Sequence, residues 1–363
     1  MYDYMNKHWS IKNGNIERMT DYLKPGLKIL IITLVFLLLS SVPVSLSIAT
    51  ESDEEDVYTT LAGDNPITSD AAIVIDFLTG AVIYEFNADE QRVPASMAKM
   101  VAVYVVFDAI RDGDVSFDTL IETTASTARF SRNRNFSNVP MPVGSQYSIR
   151  DLLYVVIARS ASAATIALGE GLFGSERAFV TQMNNKVKEL GIEASFFDSW
   201  GGSRDNRMSA RGMAELTRSF ITNYPEILYF TSQTNVVFDE VEYRNTNPLL
   251  TSYEGVDGFK TGFTNPAGWC FTGTAQQNDR RIITVTMGSA FGNRFPDTII
   301  LLNYGFNNYN TAITNIIRTS LHPPNTPIPI NSTLVPITMY NTDIARLFDI
   351  LDLAIMLNEG LEP

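Results

Sequence analysis

Residues 94–110 read PASMAKMVAVYVVFDAI, and this stretch decides how the rest of the chain is read. Met97, Met100, Val101, Val103, Tyr104, Val105 and Val106 put apolar side chains on nearly every face. The pattern predicts a helix from about Ser96 to Ile110, buried at the centre of its domain. Upstream, Ala71–Asp76 and Ala81–Phe86 are β-rich runs separated by Phe77-Leu78-Thr79-Gly80, a hairpin pattern. Downstream, Ser148-Ile149-Arg150-Asp151 reads as a capping box opening a helix over Leu152–Ala158. Ser175–Leu190 reads as a helix closed by Gly191, and another is expected from about Ser209 to Asn223. From about Val236 the strand pattern returns, including Trp269–Ala275 and Arg281–Met287 joined by the turn Gln276-Gln277-Asn278-Asp279. Strands begin and end the body with helices between. That order implies an α+β fold whose terminal strands meet in one antiparallel sheet flanked by helices.

Chemistry enters at the start of the central helix. Ser96 and Lys99 share one helical face a turn apart, so the lysine nitrogen can reach the hydroxyl. A lysine buried there loses proton affinity and can serve as a general base, while the free N–H groups of a helix start suit a developing oxyanion. This spacing also arises by chance around a capping serine, so its weight depends on what accompanies it. Lys260-Thr261-Gly262 lies in the strand pattern Val256–Thr264. A lysine beside a threonine hydroxyl makes a receptor for a carboxylate, and Gly262 lets a ligand approach the backbone. Between the two motifs, Arg159-Ser160-Ala161-Ser162 places Ser160 at a helix end, where it can pass a proton between Lys99 and a leaving amine.

Composition narrows the chemistry further. The 363 residues carry 27 Lys+Arg against 40 Asp+Glu, a charge of −13 that opposes binding to nucleic acid. The single cysteine, Cys270, excludes an intrachain disulfide and a cysteine-rich zinc site; beside Trp269 and Phe271 it reads as a buried structural thiol. The two histidines lie far from the motifs: His8 precedes a long apolar segment and His322 sits in a proline-rich stretch, so a Ser-His-Asp triad is excluded. No residue cluster suggests a metal, and no cofactor is expected. A hydrolase built from these residues takes a lysine as its base.

From about Ala71 to Tyr309 the sequence resembles the serine-type D-alanyl-D-alanine carboxypeptidases, the low-molecular-mass penicillin-binding proteins. The likeness rests on Pro94-Ala95-Ser96, Ser96-Met97-Ala98-Lys99, Phe179-Val180-Thr181-Gln182-Met183-Asn184, Leu190-Gly191, Asn245-Thr246-Asn247 followed by Leu249-Leu250, Gly255-Val256-Asp257-Gly258, Lys260-Thr261-Gly262 and Tyr304-Gly305-Phe306. The resemblance implies a β-lactamase/transpeptidase-like fold with an all-helical subdomain, and removal of the terminal D-Ala from peptidoglycan stem peptides through a serine acyl-enzyme. It implies Ser96 as nucleophile, Lys99 as base and Ser160 as relay. Lys260 and Thr261 would hold the substrate carboxylate, and the N–H groups of Ser96 and Phe263 would form the oxyanion hole. β-Lactams would acylate Ser96 as substrate mimics. One departure bears on catalysis: the family's Ser-x-Asn has Ser162 in its third position here, a shorter group with a single donor. This leaves open a catalytically weak penicillin- or peptidoglycan-binding protein. A β-lactamase is the third reading, weakened because no Glu between Ser160 and Lys260 begins an E-x-x-L-N loop.

Four segments are expected. Residues 1–49 read as a signal peptide or membrane anchor, with the apolar run beginning at Leu27, Arg18, Lys24 and Lys28 before or within its start, and Ser47-Ile48-Ala49 resembling a cleavage site; Met19 is an alternative start. Residues 50–65 form an acidic tether, 66–309 the catalytic domain, and 310–363 a proline-rich tail with a terminal helix over Asp343–Leu357. The body would be exported to the outer face of the membrane, with membrane association through the N-terminal segment.

Overall fold

The computed structural model describes residues 67–278 and 280–321. The leader, the tether and the Asp343–Leu357 helix expected from the sequence lie outside these residues, as do His8 and His322.

Two strands open the body, β1 (Ala71–Asp76) and β2 (Val82–Phe86), followed by a 3-10 turn over Ala95–Ala98 and the helix α1 (Lys99–Arg111). The second lobe runs through β3 (Leu120–Glu122), α2 (Ala125–Ser131), β4 (Gln146–Ser148), α3 (Ile149–Ala158), α4 (Ser162–Phe173), α5 (Glu176–Glu189), β5 (Ala194–Ser195), β6 (Arg207–Met208), α6 (Ala210–Asn223), α7 (Ile227–Thr231), β7 (Asn235–Phe238) and β8 (Val241–Arg244). It is mostly helical, edged by the antiparallel pairs β3–β4, β5–β6 and β7–β8. The chain then returns through α8 (Leu249–Ser252) to β9 (Val256–Thr264), β10 (Gly268–Gln277) and β11 (Arg280–Ser289), and continues into α9 (Arg294–Leu321). Helix α6 leaves the helical lobe to pack on β1 and β11.

The first and last strands do meet. The central sheet has the order β2-β1-β11-β10-β9, antiparallel throughout, with Ala71 opposite Met287 and Asp76 opposite Ile282. Every residue of β1 is buried because both faces of the sheet are covered. Its side chains alternate between two cores: Ile73 and Ile75 join Ile283 and Val285 on the α1 side, while Ala72 and Val74 pack with Phe271, Ile282, Leu301 and Leu302 beneath α9. Helix α1 is the centre of the first core, buried from Lys99 through Phe107. The Phe107 ring meets Phe117, Phe220, Tyr224 and Phe230 at 5.2–5.9 Å. Truncating it to alanine would cost about 3–5 kcal/mol.

Caps set the helix starts. Ser148 Oγ accepts from Asp151 N at 3.1 Å and donates to its carboxylate at 2.6 Å, so α3 begins at Ile149, one turn before the expected Leu152. Ser175 and Ser209 cap α5 and α6 in the same way. Two further expectations are corrected. The α-helix begins at Lys99 rather than Ser96, because Ala95 has φ +49° and the next residues tighten into the 3-10 turn, with Met97 N donating to the Pro94 carbonyl. The β10–β11 strands run on to Gln277 and Arg280, beyond the expected ends at Ala275 and Arg281, and Asn278 takes φ +48°. The expected body–tail boundary at 309 falls within α9, whose Leu301, Leu302 and Tyr309 are buried against the sheet. Among the described residues no helix is long and apolar enough to cross a membrane.

Candidate active site

The 3-10 turn sits between two backbones that hold it closely. A Cβ on Gly201, itself at φ +83°, would lie 1.9 Å from the Ala95 carbonyl oxygen, and one on Gly262 would lie 3.0 Å from the Pro94 oxygen. The closest neighbour of Gly262 is therefore the chain's own serine-bearing turn, which supplies a reason for glycine there besides ligand approach. Strand β9, at the edge of the sheet, is thereby set against the start of α1.

In the 3-10 turn, residues three apart stack nearly one above the other. Lys99 Nζ donates to Ser96 Oγ at 2.9 Å and to the Trp200 carbonyl at 2.6 Å. Ser96 is half-buried, while Lys99 is 0% exposed. Burial disfavours the ammonium form and lowers the Lys99 pKa to about 7, with the Asp198 carboxylate opposing. A pKa lowered this far makes the neutral amine accessible at neutral pH, a base within reach of the hydroxyl.

The carbonyl that receives Lys99 is held by a loop the sequence analysis did not single out. Asp198 accepts from the backbone N–H groups of Gly201 (2.7 Å), Gly202 (3.1 Å) and Ser203, and from Asn206 Nδ2 at 3.2 Å. An aspartate three residues before Gly-Gly-Ser is a signal for such a turn, but only the fold reveals that the Trp200 carbonyl within it meets Lys99.

Ser96, Asn135, Phe136, Ser137, Ser160, Ser162, Trp200, Gly201, Thr246, Thr261, Gly262, Phe263, Thr264, Trp269 and Arg294 line one cleft of about 250 Å3. Ser160, one residue beyond the cap of α3, has φ +62° and is 5% exposed, and its hydroxyl has no partner among the described residues. Ser162 opens α4, its N–H donating to the Ser137 carbonyl at 2.9 Å. Thr261 Oγ1 and Thr246 Oγ1 share a hydrogen bond of 2.8 Å. Lys260 lies beneath the lining, 1% exposed, its Nζ donating to the Thr261 carbonyl at 3.1 Å. Burial, then the charges of Lys99 and Arg294, push its pKa well down.

Arg294 reaches the cleft where Lys260 does not. Its Nη1 donates to the Gly262 carbonyl at 3.2 Å, its guanidinium lies 4.7 Å from the Trp269 ring centre, and its buried Nε has no partner among the described residues. Burial lowers its pKa to about 10, so it stays cationic at neutral pH. With Thr261 it offers an anion a second group to bind, one that lies 34 residues along the chain from Lys260 and had no local sequence signal.

Of the residues expected from the sequence, Ser96, Ser160, Ser162, Thr261, Gly262 and Phe263 meet around this cleft, Lys99 joins it through Ser96, and Lys260 lies under it. Among the described residues there is no group of three or more His, Cys, Asp or Glu side chains that could hold a metal. Cys270 is fully buried, and burial raises its thiol pKa to about 11.

Comparison with known proteins bears on the family and the fold. Residues 58–290 match the family described as D-alanyl-D-alanine carboxypeptidase. D-alanyl-D-alanine carboxypeptidase DacA of Haemophilus influenzae is 32% identical over 254 residues, 68% of this chain and 64% of that protein. The chain thus spans less than two thirds of the length of this curated relative. Penicillin binding protein 5 of Haemophilus influenzae superposes with a TM-score of 0.64 at 31% identity, covering 66% of this chain and 71% of that one. Penicillin-binding protein D2 of Listeria monocytogenes, solved in a cefotaxime-bound form, gives 0.58 at 30% identity, covering 66% and 98%. The antiparallel sheet and the helical lobe are those of the penicillin-binding fold, and the chain belongs to the D-alanyl-D-alanine carboxypeptidase family.

Proposed function

We propose that the chain is a serine D-alanyl-D-alanine carboxypeptidase that removes the terminal D-Ala from peptidoglycan stem peptides. The observation that carries this reading is the 2.9 Å contact between Ser96 Oγ and a fully buried Lys99 whose pKa lies about 7. Neutral Lys99 takes the proton from Ser96 as Oγ attacks the carbonyl carbon of the penultimate D-Ala. The negative charge on the carbonyl oxygen is received by the N–H groups of Ser96 and Phe263, donors worth a few kcal/mol each in such sites. Ser160, buried and unpartnered, passes the proton from Lys99 to the departing amine, and the C–N bond breaks. Water, deprotonated by the same lysine, then attacks the acyl-enzyme and releases the shortened peptide. Thr261 and Arg294 at the cleft, with Lys260 below, hold the carboxylate of the terminal D-Ala.

The cefotaxime-bound relative supports acylation of Ser96 by β-lactams in this chain. The same reading places the body outside the cytoplasmic membrane, residues 1–49 acting as signal peptide or anchor, 50–65 as tether, 66–309 as the catalytic domain and 310–363 as tail.

The test is release of D-alanine from a diacyl-D-Ala-D-Ala peptide by the full chain and by Ser96→Ala. Turnover lost in the variant supports the reading. Stable labelling of Ser96 by penicillin with no D-alanine released from any muropeptide would assign the chain a binding role instead.

A further inference from the structure

We propose that Asn135 is a substrate-binding residue, its carboxamide holding the backbone amide of the peptide next to the scissile bond. The proposal rests on the cleft being the site of Ser96 acylation. Asn135 carries the one side-chain amide among the residues lining the cleft. Several other polar groups there are already committed: Ser137 Oγ donates to the Arg159 carbonyl at 2.9 Å, Thr246 Oγ1 shares a hydrogen bond with Thr261, and Thr261 and Arg294 serve the substrate carboxylate. An extended peptide presents an N–H and a C=O, and a carboxamide can donate to one and accept from the other; a serine hydroxyl such as that of Ser162 is shorter and has one donor.

The segment bearing Asn135 is fixed on two sides. Ser162 N donates to the Ser137 carbonyl at 2.9 Å, and Ala163 N donates to Asn138 Oδ1 at 2.8 Å. Asn138 Nδ2 in turn donates to the Phe130 and Asn133 carbonyls at 3.1 and 3.3 Å, and Asn135 N donates to Asn133 Oδ1 at 3.0 Å. On the other side Phe136 packs edge-on against Trp200 at 4.7 Å, the residue whose carbonyl accepts from Lys99. The backbone at 135 is thus held between the start of α4 and the catalytic lysine, so little ordering is left to be done when a peptide binds. The amide that the family's motif would place at position 162 is supplied from the facing segment.

The experiment compares the full chain with Asn135→Ala, reading kcat and KM for a diacyl-D-Ala-D-Ala peptide, the rate of Ser96 acylation by benzylpenicillin, and the melting temperature. The expected result is a loss of about tenfold to a hundredfold in kcat/KM, the range for a hydrogen bond to a bound ligand, with an unchanged melting temperature because the Asn135 side chain is exposed. Adding Ser162→Asn to Asn135→Ala should recover most of the loss. Values within twofold of the parent chain, or a loss that Ser162→Asn does not recover, overturn the proposal. The Ser96→Ala comparison decides the carboxypeptidase reading separately. If the parent chain releases no D-alanine, the ratio of penicillin acylation rates still decides the role of Asn135.

Discussion

The two ends of α1 each meet a buried lysine, and they treat it in opposite ways. At the first residue, Lys99 is 0% exposed and its contacts are neutral: a hydroxyl and a backbone carbonyl. Near the last turn, Asp108 meets Lys186 of α5, which is 7% exposed, at 2.8 Å, and Glu189 meets the same ammonium at 2.7 Å. The Tyr104 ring lies 5.2 Å from that ammonium, and Tyr224 Oη donates to Asp108 at 2.6 Å. Burial pulls both lysines toward the neutral form. At Lys99 it prevails and the pKa falls to about 7; at Lys186 the carboxylates of Asp108 and Glu189 outweigh it and the pKa rises. Burial alone therefore does not make a base. A base needs burial without a carboxylate in contact, and α1 separates the two conditions along its length.

The largest effect should follow from removing the lysine at the first end. Lys99→Ala is expected to lower kcat/KM by about a hundredfold to ten-thousandfold while leaving the fold intact, the usual contribution of a positioned base. In the proposed mechanism the neutral amine is the active form, so kcat/KM of the parent chain should rise with pH through about 7 and then level. A pH-rate profile without that limb, or with its midpoint near the ordinary lysine value, would remove the distinction between the two ends.

At the other end the effect should fall on stability. Asp108→Ala leaves Lys186 with only Glu189, whose side chain is 67% exposed, and takes the acceptor from Tyr224. Breaking a buried pair from one side costs about 3–5 kcal/mol. The melting temperature should fall by several degrees, while kcat at a permissive temperature stays within about twofold of the parent because no atom of the cleft is touched. A tenfold loss of kcat with little thermal change would mean that Asp108 acts on the site through α1.

The difference between the two ends was only partly legible in the residue order. Ser96 and Lys99 are local, and their relation follows from spacing alone; so do the serine caps of α3, α5 and α6 and the strands that open and close the body. What decides the state of Lys99 is not local. Its second acceptor is a backbone carbonyl 101 residues away, set by the hydrogen bonds of Asp198, and a carbonyl carries no residue-type signal. Arg294 and Asn135 enter the cleft from a helix start and a loop in separate parts of the chain, positions that only the sheet order and the helix packing bring together. Lys186 carries no sequence signal beyond its place in a helix, since its pairing with Asp108 joins α1 to α5 across the core. The 3-10 turn escaped for another reason: the positive φ of Ala95 is imposed by the backbones packed around it, against alanine's own preference.

The smallest change tests how much of the second end is electrostatic. Glu189 completes the Lys186 pair from the solvent side, three residues along α5, so water screens most of its attraction. Glu189→Gln keeps the length and the hydrogen-bonding oxygen and removes the charge. The expected loss is about 0.5 kcal/mol or less, shrinking further as salt is added, and read as a small shift in the denaturant midpoint with no change in activity. The buried contact to Asp108 would then carry nearly all of what keeps Lys186 charged. A loss approaching that of Asp108→Ala would instead mean that both carboxylates are needed, and that the ammonium lies deeper than its exposed partner suggests.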